Sequence, residues 1–587
     1  MRMLFIYPDV HTNQFAHIQH GVASISAVLK AAGHETDLLW FREELQDEEF
    51  IQEVLKRKPD IIGFSSGTHQ WPFTLRYARA LKDSEPSLPL VIGGVHASLA
   101  SEDVMAEGIF DILCRGEGEY PVRDLLDALE QDKEFRQIQN LWIKDKDKVI
   151  RNTLRPWIHP LDELPLPDRT IWDNDLILSE NDHEVALMAS RGCPYACTYC
   201  SNSALRSLVP GSKRHVRIKS PEYMMEEIAD LCRQLEVRSL FFEDEIFTLK
   251  RRWVERFCEL YKERFEIPFI IYLRQEQVDR DELQILKDAG CIAIKLGVET
   301  GNEEHRRRVL NRKMSNQQII DFVSMAHGVG LQTWVFNMVG IPGDTPEIIE
   351  QGMELNRILK ANHVQVTVFY PYPGTPLYEL CKREGYLTNR ESSSVFNDYS
   401  VLNLPTISPE QIHEYFIRFR KLGFEIAAER EALGYFDFTH HFPDANITTE
   451  NPDFVQLMPV RVNGVERMCL LEHPPSRASY RVKLRSRSSI HFGLAFSPTV
   501  WDNPGGGATF ELWVKTGRRR EQKIFEKFID PKTRAGDRKW HDEEVDLSKY
   551  RNREIELTFV TRTPPGENQY CIAVWSRPHL IEKEMKS

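Results

Sequence analysis

Continuous apolar runs alternate with amphipathic stretches along the first 130 residues. The runs are residues 3–7 (MLFIY), 36–40, 61–66 (IIGFSS), 89–97 (PLVIGGVHA) and 110–119 (FDILCRGEGE). After the first run, Val22, Ile25, Val28 and Leu29 recur at helical spacing, and Gly33-His34 ends that helix. Further helices are predicted near 47–57 and 75–81. Strands apolar on both faces, separated by helices, predict a parallel, doubly wound, Rossmann-like α/β sheet over 1–130. Such sheets bind ligands beyond the carboxyl ends of their strands. Those loops are residues 9–13, 65–69, 93–96 and 116–119, and three of them carry Gly, Ser or His.

Residues 131–184 read as a linker. One stretch, 141–152, is hairpin-like, and Pro156, Pro160, Pro165 and Pro167 then suit an extended tether. From 185 the alternation resumes with a longer wavelength, in strands at 185–190, 238–244, 268–274, 293–299, 333–340 and 363–371. A helix over 220–235 is predicted with Ser220 as N-cap and Pro221 at its first position. Six strand–helix units predict a full or partial parallel barrel, (β/α)6, over 185–400. Residues 401–444 add a helical extension, and 445–587 read as short alternating strands with Gly/Pro turns, an all-β sandwich.

A length of 587 residues carries a prior of about three to five domains. Hydrophobic residues at 41% and charged residues at 28% exclude a disordered chain, a collagen and a coiled-coil rod. The formal charge of −13 is uneven: 441–587 holds 24 basic and 20 acidic side chains, the remainder 51 and 68. The acidic bulk argues against nucleic acid as a partner. No apolar stretch reaches the roughly 18–20 residues that span a bilayer, and MRMLFIYPDVH is too short for a signal sequence. Ten cysteines, most of them alone, fit a reducing compartment, so a cytoplasmic location is expected. In the basic end, Arg481, Lys483, Arg485 and Arg487 alternate along one predicted strand face, and Arg518, Arg519 and Arg520 form a second cluster. This is either a solvated face or a groove for an anionic partner. Trp501, Trp513, Trp540 and Trp575 either fill the core or stack on sugars. The strand pattern there resembles a galactose-binding-like sandwich.

Three cysteines do not stand alone. Cys193, Cys197 and Cys200 occur in RGCPYACTYC, directly after the first barrel strand, with no fourth Cys or His nearby. A structural zinc site takes four ligands, and a cubane iron–sulfur cluster normally four thiolates. Three thiolates leave one iron of a 4Fe-4S cluster open, whereas a disulfide would leave one cysteine over.

On these residues the chain resembles the radical S-adenosylmethionine (SAM) superfamily, in which the open iron chelates the methionine of SAM. The resemblance implies that the backbone of Tyr199 meets the adenine. It extends to FFEDEIF (241–247), where Asp244 and Glu245 fill the position that binds the methionine amino group. In KLGVETGNEE (295–304) Glu299 would face the ribose, and in FNMVGIPGDT (336–345) Gly340 and Gly343 would lie near the adenine. YPYPGTPLYE (370–379) resembles the segment after the sixth strand. Arg274, at the end of the third strand, would either reach SAM or close an ion pair, and the two glycines could simply be turn glycines.

Residues 21–35, 60–68, 91–98 and 112–119 resemble the cobalamin-binding domain fused to many radical SAM enzymes, although a flavodoxin-like domain would share the topology. The implied contacts are Ser65, Ser66, Gly67, Gly93, Gly94, His96, Gly116 and Glu117, where small residues let a flat cofactor lie against backbone. Cobalamin mutases carry Asp-x-His-x-x-Gly after the first strand; here Asp9 and His11 stand at the right offset but Gln14 replaces the glycine. His11 is then a cobalt ligand, a relic or a loop histidine.

The resemblance implies a cluster that reduces SAM, a 5′-deoxyadenosyl radical that takes hydrogen from an unactivated carbon, and cobalamin that donates a methyl group. It implies an external one-electron reductant of the flavodoxin or ferredoxin type. C-methylation of a small molecule or lipid is the expected outcome. Cyclisation, as in the anaerobic porphyrin-ring cyclases, uses the same parts. A non-catalytic cobalamin and cluster sensor, or a zinc scaffold, are the alternatives of another class.

Overall fold

A computed structural model describes residues 1–12, 15–146, 148–209, 215–390, 392, 394, 399–430, 436–451, 454–463, 465–485, 488–517, 520–564, 566 and 569–582. It divides into two compact units, Met1–Leu359 with Gln365–Ile417, and Lys360–Val364 with Arg418–Ser587.

The first unit opens with the strands β1 (Arg2–Pro8), β2 (Glu35–Phe41), β3 (Ile61–Ser65), β4 (Leu90–Gly93), β5 (Ile112–Cys114), β6 (Leu141–Asp145) and β7 (Lys148–Arg151). They form one sheet in the order β2-β1-β3-β4-β5-β6-β7, parallel as far as β5. Met3, Phe5 and Tyr7 enter the core on one face, and Leu4, Ile6 and Ile62 on the other, as a sheet covered on both sides requires. The apolar run 89–97 does not stay a strand. Gly94 adopts φ 96, and a Cβ there would lie 2.6 Å from the Ser66 carbonyl oxygen, so the chain turns into the helix Val95–Leu99. The hairpin read as part of the linker is the antiparallel edge of this sheet, with Ile112 opposite Ile143 and Leu141, Trp142 and Ile143 buried. The proline-rich segment after it is packed rather than free: Ile158, Leu161 and Leu164 bury against Val28.

The second sheet takes β8 (Glu184–Leu187), β11 (Ser239–Phe242), β12 (Phe269–Tyr272), β13 (Cys291–Glu299), β14 (Gln332–Val339) and β15 (His363–Val368) in sequence order. From β8 to β14 every pairing is parallel, the arrangement of a partial barrel. Helices between the strands cover its outer face; in Pro221–Gln234, Ser220 Oγ accepts from the Tyr223 backbone N–H at 3.1 Å, as its sequence position requires. The short strands β9 (Ser190–Arg191) and β10 (Arg217–Ile218) pair beside the first loop.

In the second unit, β18 (Val455–Val462), β19 (Val465–Glu472), β26 (Ala573–Glu582), β21 (Ser488–Phe496) and β24 (His541–Asp546) form one antiparallel sheet, and the short β16 (Phe436–Asp437) pairs with β26. The other is β17 (Asn446–Thr449), β20 (Ser476–Lys483), β25 (Glu554–Arg562), β22 (Ala508–Lys515) and β23 (Gln522–Ile529). Tyr480, Val482, Phe510, Phe559 and Trp575 meet in the core between them. Arg481, Lys483 and Arg485 point outward. Glu556 lies 3.8 Å from Arg481, and Glu554 stands opposite Lys483, so cross-strand carboxylates balance the stripe. Arg487, Arg518 and Arg519 lie outside the described residues. Trp575 is core, while the ring nitrogens of Trp501, Trp513 and Trp540 donate to Phe496 O, Glu511 and Val465 O. Among the described residues no helix is long and apolar enough to cross a membrane.

Candidate functional site

The cysteine loop leaves β9 and enters the helix Ser201–Ser207. Cys197 is buried, and Cys193 and Cys200 are half-buried; all three are free thiols. Gly192 turns the chain at φ 84, where a Cβ would lie 2.4 Å from the His215 carbonyl oxygen. Burial pushes the Cys193 thiol up to about 11 and raises Cys200 as well, and the neighbouring thiols and Glu245 act in the same direction. Such a loop disfavours bare thiolates and holds them only against a positive partner, which the irons of a cluster provide. Among the described residues no three His, Cys, Asp or Glu side chains converge tightly enough for a single metal ion. A cluster takes each thiolate on a different iron and asks for a looser arrangement. Three free thiols on one loop, with the Arg274 guanidinium donating to Cys197 Sγ at 3.6 Å, fit the donor set of a cluster.

Asp244 and Glu245, expected to act together, part company. Asp244 is fully buried, and its carboxylate accepts from Ala189 N at 3.0 Å and Ser190 Oγ at 2.5 Å. It braces the segment that feeds the cysteine loop. Burial raises its carboxyl to about 6. Glu245 lines the neighbouring cavity, with Oε2 buried and unpartnered and its carboxyl also raised by burial. Arg274 takes the ion-pair course: it binds Glu276 at 2.5 Å, lies 3.5 Å over the Tyr195 ring and donates to Cys197 Sγ at 3.6 Å.

Glu299 ends β13 in the left-handed region at φ 68. The Tyr199 hydroxyl donates to its Oε1 at 3.0 Å, and Arg312 Nη1 donates to the same oxygen at 3.1 Å. Arg312 also bonds the Gly297 carbonyl at 2.7 Å. Burial and the Glu299 charge hold the Tyr199 pKa well above the phenol range, so the hydroxyl stays a donor. Arg312 was missed by the sequence reading, because nothing in NRK marks it; only the fold brings it 13 positions back to Glu299. Gly340 and Gly343 sit at φ 78 and 91 in one tight turn, where Ile341 N donates to Asp344 at 2.9 Å. A Cβ on them would meet Ile412 at 3.1 Å and His305 at 3.3 Å. The turn needs both glycines whatever else they touch.

Beyond the carboxyl ends of β3, β4 and β5 lies a cavity of about 480 Å³, walled on the other side by the start of the half-barrel. Ser65, Gly93, Gly94, Gly116 and Glu117 line it, as expected, and Gly192 and Glu245 face it from the barrel. Glu117 is fully engaged: Arg191, Arg217 and the Ile158 N–H donate to it at 2.9, 2.7 and 2.8 Å. It joins the two walls. Four expected residues do not line the cavity. His11 is exposed and turned to Glu44 at 2.9 Å, away from this cavity; Asn13 and Gln14 lie outside the described residues. Ser66 Oγ accepts from Thr74 and donates to Gly67 O, and its backbone binds Gly93 O and His96 N. Gly67 packs on Gln70. His96 stacks on Trp71 at 4.8 Å, and burial holds its pKa down to about 4. Sequence reading missed His215 and Trp157, which line the cavity and whose ring nitrogens are buried without a partner. The glycine cradle and these unsatisfied groups fit a large flat cofactor with a polar rim.

Residues 187–355 match the Radical SAM superfamily, and residues 9–126 match the B12 binding domain. An uncharacterized methyltransferase of Pyrococcus horikoshii is 27% identical over 395 residues, covering 67% of this chain and 84% of the relative. The anaerobic magnesium-protoporphyrin IX monomethyl ester cyclase of Rubrivivax gelatinosus is 26% identical over 398 residues, 65% of this chain and 70% of its own. The radical SAM methyltransferase TsrM of Kitasatospora setae, solved with cobalamin and a [4Fe-4S] cluster, superposes with a TM-score of 0.56 at 15% identity. That match covers 71% of this chain and 81% of TsrM.

Proposed function

This chain belongs to the B12-dependent radical SAM enzymes, and we propose that it places a methyl group on an unactivated carbon. It works with a 4Fe-4S cluster, SAM and cobalamin. When bound, the cluster supplies the electron that cleaves SAM to a 5′-deoxyadenosyl radical, and cobalamin supplies the transferable methyl group.

In this reading Cys193, Cys197 and Cys200 hold the cluster, with Arg274 against Cys197 steadying the sulfur charge. Tyr199, Glu299 and Arg312 frame the SAM side of the loop, and Glu245 offers it a carboxylate. Ser65, Gly93, Gly94 and Gly116 carry the cobalamin, and Glu117 with Arg191 and Arg217 keeps the two walls of its cavity together. An external electron donor of the flavodoxin or ferredoxin type serves the cluster. The observation that carries the reading is the shared cavity: one wall is the glycine-rich strand ends, and the other includes Gly192, next to Cys193. Methyl donor and radical source then meet across one cavity.

The resemblance to the cyclase keeps a second reading open to test. The reconstituted enzyme is reduced anaerobically and given SAM labelled in its methyl group. Methyl transfer predicts label in the corrin fraction together with S-adenosylhomocysteine. Deoxyadenosine without either would favour cyclisation, and none of these products would favour a sensor.

A further inference from the structure

The concave face of the half-barrel is aromatic. Along β14, Trp334, Phe336 and Met338 are half-buried and alternate with buried Val335, Asn337 and Val339. Phe241 of β11 is half-buried on the same alternation, and Tyr272 is the half-buried last residue of β12. Period two puts these side chains on one face of their strands. The register then gathers them: Tyr272 stands opposite Lys295, Lys295 opposite Trp334, and Gly297 opposite Phe336. Phe241 lies 5.2 Å from Tyr272, and Tyr272 lies 5.8 Å from Phe336. The opposite residues, such as Leu240, Phe242 and Val335, are buried completely. Water thus reaches a row of large rings on the inner side only. Rings left wet in a row mark a surface that something apolar covers.

The charges on this face are each partnered. The Lys295 ammonium sits 3.7 Å from the Phe241 ring centre and 4.4 Å from that of Trp334. Glu243, immediately after β11, bonds His20 at 3.1 Å. Burial alone would raise its carboxyl, but His20 and more distant Lys295 hold it below the usual range, so it stays ionised. Glu184, at the start of β8, is a second carboxylate on this face and accepts from Ser239 Oγ at 3.3 Å, so each charge here already has a partner. Glu243 also lines the cavity described above, together with Met188. The aromatic face and the cavity therefore meet at one residue.

We propose that this concave face is the substrate chamber and that it takes an uncharged apolar ring system, packed on Phe241, Tyr272, Trp334 and Phe336. Stacked and edge-on ring contacts reward a rigid ring body and lose less conformational entropy than a flexible chain. A charged group at this level would lack a spare counter-ion and would be costly to bury. Glu243 and His20, at the junction with the cavity, read a polar substituent on the rings. The proposal rests on the methyl-transfer reading in that the cavity holds the methyl donor.

The test titrates the holoenzyme with three probes: 1-pyrenemethanol, 1-pyrenesulfonate and hexadecanol. Pyrene fluorescence reports the first two, and calorimetry the third. The neutral pyrene is expected to bind about tenfold or more tightly than either comparator. Trp334→Leu should weaken it about tenfold, and Trp334→Phe should retain most of the affinity. Phe241→Leu serves as a second variant should Trp334→Leu lose iron or cobalt. Tighter binding of the sulfonate would overturn the uncharged class, and equal binding of hexadecanol would overturn the ring preference. Unchanged affinity in both leucine variants would move the chamber elsewhere. The labelling test of methyl transfer uses the wild type without any ring compound, so the two readings fail separately.

Discussion

The Tyr199 hydroxyl and Oε1 of Glu299 lie 3.0 Å apart, a bond that ties the cysteine loop to the end of the fourth barrel strand. Arg312 donates to both partners at 3.1 Å, so the tie is a buried triangle, not a single contact. Its members are unequal. Tyr199→Phe removes two hydrogen bonds, worth about 1 kcal/mol each, and leaves the Arg312–Glu299 ion pair intact. Glu299→Ala strands the buried guanidinium, a loss of about 3–5 kcal/mol. Tyr199→Phe should load iron normally and raise the SAM dissociation constant only several-fold. Glu299→Ala should lower both the iron content and the unfolding midpoint. Iron assay, SAM equilibrium dialysis and thermal unfolding check this; identical behaviour of the two variants would count against the triangle.

Asp244 separates bracing from SAM contact. An asparagine can still accept from Ala189 N and donate to Ser190 Oγ, whereas alanine can do neither. Asp244→Asn should keep iron loading and SAM affinity near wild type, and Asp244→Ala should lose much of its iron. A carboxylate bound to the methionine ammonium would behave otherwise, because the asparagine would then lose SAM affinity at least about tenfold.

Much of this architecture is legible in the sequence. Apolar runs located both parallel sheets, and the alternating strands after 445 located the sandwich. What local pattern could not show was pairing at long range. The 141–152 hairpin looks complete in itself, and only β5 reveals it as a sheet edge. His11 stands at the right offset for a cobalt ligand, but the loop after β2 brings Glu44 to its ring. Ser66 and His96 sit in suitably small, polar motifs, yet they are spent on each other's backbone and on Trp71. The glycine motif offers Glu117 to a cofactor, but its partners Arg191 and Arg217 lie 74 and 100 residues away. The concave aromatic row is visible strand by strand as period two, but its convergence needs the register.

The cradle and the exposed histidine make opposite predictions. Gly94 has φ 96, and a Cβ there would lie 2.6 Å from Ser66 O and 2.8 Å from Ser66 N. Gly94→Ala thus forces backbone apart at the cavity wall and should cut bound cobalt severely, with iron much less affected. His11→Ala, on an exposed ring outside the cavity, should leave cobalt content and the cob(II)alamin spectrum unchanged. Nitrogen splitting in the wild-type spectrum that vanishes in His11→Ala would restore the ligand.

Glu472 makes the second unit sensitive to pH. It is fully buried in the sandwich, where Thr561 donates to Oε2 at 2.7 Å and Oε1 has no partner. Burial raises its carboxyl to about 7, against about 4.3 in an unfolded chain. Between those values the folded state holds a proton that the unfolded state has released, so stability falls as pH rises and levels off above about 7. The span corresponds to roughly 4 kcal/mol. Glu472→Gln keeps an acceptor for Thr561 and removes the titration. Its advantage over wild type in the unfolding midpoint of this unit should be small at pH 5 and large at pH 8. An advantage that stays constant between the two would show that the carboxyl titrates in its ordinary range.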